Sequence, residues 1–374
     1  MEGQQPIRVA HIVGKMVGGG VEAFIMNYYR NIDRTKVQFD FIIDSDSTIV
    51  PREEIEKMGG RVIEIPPYQK IFSYIKELKN ILNENKYKIV HSHLNSLSVF
   101  PLFGAYLAKV PVRIAHSHST TNKKEWKKNI IKSVLKPFSK VFATHYFACS
   151  EHAGRWLFGN KIYEKGKVQI ICNAIDVEKF KFNEELRIKM RKDLKISNKF
   201  VIGHVGRFVE QKNHKFLIDV FEKIYKERND AYLLLIGEGP LEVEIRKKVK
   251  DMHLENAVCF LGVRNNVCDF MQAIDVFAFP SLYEGLGIAL IEAQATGLNC
   301  ISSNNIPNEA IILDTFIKCE NDTIFEWKDK ILKNCESNNR LEKNKVIETT
   351  CFNINKSVRF LEELYERLEM NYDR

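Results

Sequence analysis

At 374 residues the chain is long for one domain and sufficient for two, each able to bury its own core. Its 45% hydrophobic and 28% charged composition is that of a globular protein, and no apolar run approaches the roughly 20 residues of a membrane span. The net charge of +8 is uneven: residues 1–170 carry 26 Lys and Arg against 15 Asp and Glu, a net +11, and the remainder is a net −3. Such a bias concerns partners rather than fold. A basic first half suits an anionic membrane surface or an acidic substrate, and no nucleic-acid-binding motif accompanies it. The start of the chain lacks the charged and apolar blocks of a signal peptide. The eight cysteines are scattered without a metal-type pair and read as reduced, so a cytoplasmic enzyme is expected.

Short apolar strands alternate with amphipathic helical stretches throughout. The first half predicts strands at 7–13, 38–44, 61–65, 88–93, 112–118, 146–150 and 168–172. A polar, Lys-rich stretch from 173 to 199 reads as the join between domains. Strands then resume at 200–206, 231–237, 258–262, 276–280 and 299–303. This alternation implies two doubly wound α/β domains, Rossmann-like, facing across a cleft, with parallel sheets covered by helices. The boundaries expected are 1–175, 176–350 and a terminal helix over 351–374 packed across the molecule, with helical spacing at Val358, Leu361, Leu364, Tyr365 and Leu368. Ligands of such sheets bind beyond the carboxyl ends of the strands, so loops after strands are the places to search.

Four such loops carry chemistry. GKMVGGGVE places Gly18, Gly19 and Gly20 ahead of a helix, where backbone N–H groups can approach a phosphate or a sugar. The spacing is neither Gly-x-Gly-x-x-Gly nor a P-loop. GRFVEQKNH (206–214) offers Arg207 and Lys212, a fork and a point charge suited to a diphosphate. LIGEGPLEVEI (235–245) is a third strand–loop–helix junction, and FLGVRNNV (260–267) a fourth, where backbone near Val263 can meet a base edge. The His-Ser-His pairs 91/93 and 116/118 each lie on one side of a strand. No Asp, Glu or Cys spacing completes a zinc site, so His118 is read as a cleft hydrogen-bonding residue and the others as strand-end packing.

SLYEGLGIALIEAQATG (281–297) contains Glu284 and Glu292. A glycosidase pair would stand about 5–10 Å apart across one bond. Eight helical steps would leave these about 80° apart in azimuth and about 12 Å in rise. They read as two separate grips on one ligand. Asp44-Ser45-Asp46, a possible metal-binding Asp-x-Asp, is assigned to a solvated loop instead.

Taken together, VGGGVE, CNAIDVEKF, GRFVEQKNH, LIGEGP, FLGVRNNV and the Glu-x7-Glu stretch resemble the retaining glycosyltransferase family 4, of GT-B fold, over nearly the whole chain. The first half is most similar to bacterial exopolysaccharide and capsule transferases. The resemblance implies a nucleotide-sugar donor, a UDP-sugar by preference, and a lipid-linked or oligosaccharide acceptor, with no metal or other cofactor. It implies that Arg207 and Lys212 clamp the diphosphate, and that Glu284 with the backbone of Gly285, Leu286 and Gly287 meets the sugar and phosphates. Glu292 is implied to hold the ribose and Val263 the base. Gly18 to Gly20 are implied to close over the donor, with His118 near the transferred sugar. The family's Asn-Gly at the domain join is Asn173-Ala174 here, so Asn173 is given no role.

Residues 122–140 form a basic amphipathic pattern with seven lysines, and 70–88 a second one, so contact with the inner face of an anionic membrane is expected. The rival readings are a transferase for a small soluble acceptor, a non-catalytic nucleotide-sugar-binding protein, and an NAD-dependent oxidoreductase or epimerase. The last requires the dinucleotide-binding turn that the first loop lacks.

Overall fold

The computed structural model describes residues 5–118, 135–320, 323–334 and 339–372. The chain divides into two compact units, Met1–Ala174 with Ile354–Arg374, and Ile175–Asn353.

The first unit is built on seven strands: β1 Ile7–Gly14, β2 Val37–Asp44, β3 Arg61–Ile65, β4 Ile89–Ser92, β5 Val112–Ser117, β6 His145–Ala148 and β7 Val168–Ile170. Their order is β3-β2-β1-β4-β5-β6-β7, with every pairing parallel. Every residue of β2 is buried, as expected of a central parallel strand covered on both faces. The helix Ile354–Met370 belongs to this unit. Its Val358, Leu361, Leu364, Tyr365 and Leu368 join the core formed by β1, β2 and the helix Gly20–Asn31.

The second unit has six strands: β8 Phe200–Val205, β9 Ala231–Ile236, β10 Val258–Gly262, β11 Val276–Phe279, β12 Asn299–Ser303 and β13 Ile317–Cys319. They are parallel in the order β10-β9-β8-β11-β12-β13. In both sheets the chain reverses direction beside its first strand, at β1/β4 and at β8/β11. These are the switch points where doubly wound sheets open toward a ligand.

Three expectations change. Strand β13 lay outside the predicted runs because it is three residues long and has Lys318 at its centre. The join expected at 173–199 is a folded part of the second unit, with helices Val177–Phe180 and Glu184–Asp193. Asn183 caps the latter, its Oδ1 accepting from Leu186 N at 2.9 Å. Arg187 reaches the carbonyls of Gln272 and Ile274 at 2.8 and 3.0 Å. That anchoring is polar, so no apolar periodicity announces it. Finally, Cys172 and Cys351 are disulfide-bonded rather than reduced, whereas Cys149, Cys259, Cys268, Cys300 and Cys319 are free. Segments distant in sequence run alongside at this point: Ile175 bridges Asn353, and its N–H donates to Phe352 O at 2.8 Å.

Residues 122–134 of the first amphipathic pattern lie outside the described residues. The second pattern is the helix Ile71–Glu84, which turns Tyr74, Leu78, Ile81 and Leu82 into the core and leaves Phe72 exposed. Among the described residues no helix is long and apolar enough to cross a membrane.

Candidate active site

The loops after β8 and β11 meet at the second unit's switch point. Lys212 closes the β8 loop in a short 3-10 turn, Glu210–Lys212. Glu284 lies in the β11 loop, and Lys212 Nζ donates to its Oε1 at 2.6 Å. The two side chains are 17% and 8% exposed, so this ion pair is largely shielded from water. The ammonium also sits 4.5 Å from the centroid of the Phe279 ring. Gln211 knits the same loops together: its carbonyl accepts from Leu282 N at 2.8 Å, and its amide donates to Tyr283 O at 2.9 Å. Neither Gln211 nor Phe279 was singled out in the sequence, because an amide bridge and a ring under a cation leave no spacing pattern.

Gly285, Leu286 and Gly287 follow directly. Gly287 is the N-cap of the helix Ile288–Ala295, in the left-handed region at φ 82°. A side chain there would be strained, which explains the glycine. In the helix's first turn Leu290 N donates back to Gly287 O at 2.8 Å, while the N–H groups of Ile288 and Ala289 have no partner among the described residues; they follow Glu284 closely in the chain, a favourable arrangement for an anion. Arg207 begins the β8 loop, exposed and without an ion-pair partner among the described residues. Glu292 stands inside the helix, partly buried; its carbonyl accepts from Thr296 Oγ1 at 3.0 Å, and its carboxylate has no hydrogen-bond partner among the described residues. Burial pushes its carboxyl up to about 7. Val263, 60% exposed, follows β10.

The β9 loop braces the β8 loop. Phe208 N donates to Glu238 O at 2.9 Å, and Leu241 N donates to Phe208 O at 3.0 Å. A Cβ on Gly239 would fall 2.6 Å from Phe208 O and 2.7 Å from Phe208 N. Gly239→Ala is therefore expected to destabilise the second unit by about 1–3 kcal/mol, read as a lower urea midpoint.

The other expected residues belong to the first unit. Gly19 caps the helix Gly20–Asn31, and Gly18 has φ 78°. Glu22, a single carboxylate that no sequence spacing marks, accepts from Val17 N at 2.8 Å and holds this loop in shape. A cavity of about 280 Å³ opens at the first switch point, lined by Lys15, Gly19, Gly20, Glu22, His93 and Asn95 among others. His118 is attached to it indirectly: its backbone N–H donates to Asn95 Oδ1 at 2.7 Å, and its ring Nε2 pairs with His93 Nδ1 at 2.8 Å. The Asp-x-Asp loop is less solvated than expected. Asp44 is buried, and burial followed by the nearby Asp46 pushes its carboxyl up to about 6. Asp46 pairs with Lys15 at 2.7 Å.

Residues 18–179 match the family described as Glycosyltransferase Family 4, and 187–347 that described as Glycosyl transferases group 1. EpsF of Bacillus subtilis, named as a glycosyltransferase, is 38% identical over 306 residues, 80% of this chain and 79% of its own length. The chain belongs to glycosyltransferase family 4. This transferase is also 26% identical to the UDP-Gal:alpha-D-GlcNAc-diphosphoundecaprenol alpha-1,3-galactosyltransferase of Escherichia coli, over 98% of both chains. It is 28% identical to the capsular polysaccharide biosynthesis glycosyltransferase CapH of Staphylococcus aureus, over 96% of this chain and 98% of the other. Its fold is that of Anabaena HepE, solved in complex with UDP, with a TM-score of 0.79, 17% identity and coverage of 96% and 100%. The fold is therefore GT-B, and the transferase is an enzyme of polysaccharide biosynthesis.

Proposed function

We propose that this enzyme takes a sugar from a UDP-sugar and passes it to a lipid-linked or oligosaccharide acceptor, with retention at the anomeric carbon and without a metal ion. The observation that carries the reading is the shielded Lys212–Glu284 pair at the second switch point, beside the N-terminal turn of Ile288–Ala295. Breaking the bond between sugar and diphosphate develops negative charge on the leaving group. Lys212, the exposed Arg207 and the helix N-terminus can stabilise that charge as it forms. Such contacts accelerate transfer only if they tighten as the bond stretches. Glu284 both fixes the ammonium and offers its second oxygen to a sugar hydroxyl, with the Gly285–Gly287 backbone beside it.

UDP as carrier and a polyprenyl diphosphate acceptor follow the specificity in the name of the Escherichia coli relative, and UDP also the HepE complex. Retention rests on the family resemblance. In this reading Glu292 grips the ribose, Val263 the base, and Gly18 to Gly20 with His118 serve the transferred sugar. Membrane contact through the basic first half belongs to the same proposal. The test is a thermal-shift screen of nucleotide sugars on the full chain. A rise in Tm with a UDP-sugar supports the assignment, and no shift with any nucleotide sugar contradicts it.

Glu292→Gln is expected to weaken UDP binding about tenfold while changing kcat at saturating donor by less than about twofold. Calorimetry and initial rates check the split. The same variant carries a stability prediction. The folded carboxyl titrates near 7, above the ordinary glutamate value of 4.5. Its contribution to stability is therefore lost as pH rises from 4.5 through 7. The glutamine variant should be more stable than wild type at pH 8, by about 1–2 kcal/mol after allowance for partial exposure.

A further inference from the structure

The first unit holds five histidines on three adjacent parallel strands: His11 on β1, His91 and His93 at the end of β4, and His116 and His118 at the end of β5. Register sets His11 opposite His91. The i, i+2 pairs stack, with ring centroids 4.2 Å apart for His91 and His93 and 3.9 Å for His116 and His118. The rings form two hydrogen-bonded lines. In one, Tyr365 Oη lies 2.6 Å from His91 Nδ1, and His91 Nε2 lies 2.9 Å from His116 Nδ1. In the other, His11 Nδ1 lies 2.9 Å from His93 Nε2, and His93 Nδ1 lies 2.8 Å from His118 Nε2. The second line runs from the buried core to the partly exposed His118, past the cavity that His93 lines.

Burial holds all five imidazoles neutral at pH 7, each pushed below its usual range. A neutral imidazole has one N–H and one bare nitrogen, so the protons along a line of three must all point one way. If they point inward, His11 Nε2 must carry the last proton, and that atom is buried with no hydrogen-bond partner. If they point outward, His11 Nε2 is a bare nitrogen and His118 keeps its proton on Nδ1. A buried N–H donor without an acceptor is the rarer defect in folded proteins. Outward is therefore the favoured direction.

We propose that His11 and His93 are positioning residues that fix His118 as its Nδ1–H tautomer, so that this ring donates a hydrogen bond to a hydroxyl of the bound sugar. The sugar as recipient rests on the function proposed above, but the tautomer does not. A competing use of the same rings is a metal site, since the ligand nitrogens of His11, His91 and His93, and of His93, His116 and His118, each lie within 4.8 Å of one another. A metal on His118 Nε2 would replace the His93–His118 hydrogen bond, so the two uses exclude each other.

Long-range proton–nitrogen NMR of the full chain, labelled with 15N-histidine, tests the proposal, with His118→Gln giving the assignment. Wild type should show His118 with a protonated Nδ1 and a bare Nε2. His11→Phe and His93→Leu should move His118 toward the Nε2–H form. His93→Gln, whose amide can still donate to His118 Nε2, should hold it in place. With both substrates available, His93→Leu should lower kcat about tenfold with donor KM changed less than about twofold, and His93→Gln should recover most of the loss. A protonated His118 Nε2 in wild type overturns the proposal, and this reading needs only His118→Gln to fold, not the variants of His11 or His93. So does a His118 spectrum indifferent to both His11→Phe and His93→Leu, or a stoichiometric zinc ion that shifts His118 Nε2. Absence of turnover with every nucleotide sugar would count against the enzymatic reading and leave the tautomer result standing.

Discussion

Lys212→Ala is expected to lower kcat by about 10²–10³-fold, the usual cost of removing one preorganised group from a site of developing charge. The lysine is held at 2.6 Å from Glu284 and over the Phe279 ring, so little reorganisation accompanies its use. Its removal also leaves Glu284, 8% exposed, as an unpaired and largely buried carboxylate. Breaking such a pair costs about 3–5 kcal/mol of stability, which urea unfolding would register separately from turnover. Lys212→Arg should not rescue fully, because a planar fork cannot occupy the place of a point charge between a carboxylate and a ring. The double variant Lys212→Ala with Glu284→Ala removes the unpaired charge. It should regain stability without regaining rate. A kcat within about threefold of wild type for Lys212→Ala would remove the lysine from the chemistry.

Acid should unfold the first unit more sharply than its carboxylates would suggest. His11, His91, His93 and His116 are fully buried, and burial, with the neighbouring imidazoles adding to it, holds each well below 6.5. His118 is pushed down to about 3 by burial. In the unfolded chain all five take up protons near 6.5, so the unfolded state gains protons that the folded state refuses. Stability is then fully present above about pH 6.5 and lost as the pH falls. Each imidazole contributes roughly 1 kcal/mol of loss between pH 6.5 and 5.5, on the order of 4–5 kcal/mol for the group. Against a total of about 5–15 kcal/mol for a domain, that is a large fraction. Asp44 works in the opposite direction, since its raised carboxyl protonates on folding in the same interval, but it is one group against five. Urea midpoints across pH 7 to 5 check the sign. A flat profile would show that the imidazoles accept protons without unfolding.

The parallel sheets were readable because buried parallel strands form continuous apolar runs, such as VQFDFIID, and the loops that follow them stand out by contrast. Strand order was not, because the neighbours β1/β4 and β8/β11 are separated by whole βα units. The pairing of Lys212 with Glu284 was likewise hidden. The two lie 72 residues apart, and the switch point, not their spacing, brings them together. His-Ser-His correctly placed each pair of histidines on one side of a strand. His11, which lengthens the cluster into a line, sits alone in an apolar run and meets the others only through strand register. The stretch 173–199 reads as a linker in the sequence because Arg187 is anchored by carbonyls rather than by an apolar face.

The most direct test of the central claim is transfer of a labelled sugar from a panel of UDP-sugars to a sugar-diphospho-polyprenol acceptor in detergent, followed by NMR of the product. The account predicts that label enters the lipid fraction from at least one UDP-sugar, that chelator leaves the rate unchanged, and that the new linkage keeps the donor's anomeric configuration. An inverted linkage, or a rate abolished by chelator and restored by a divalent ion, would contradict it.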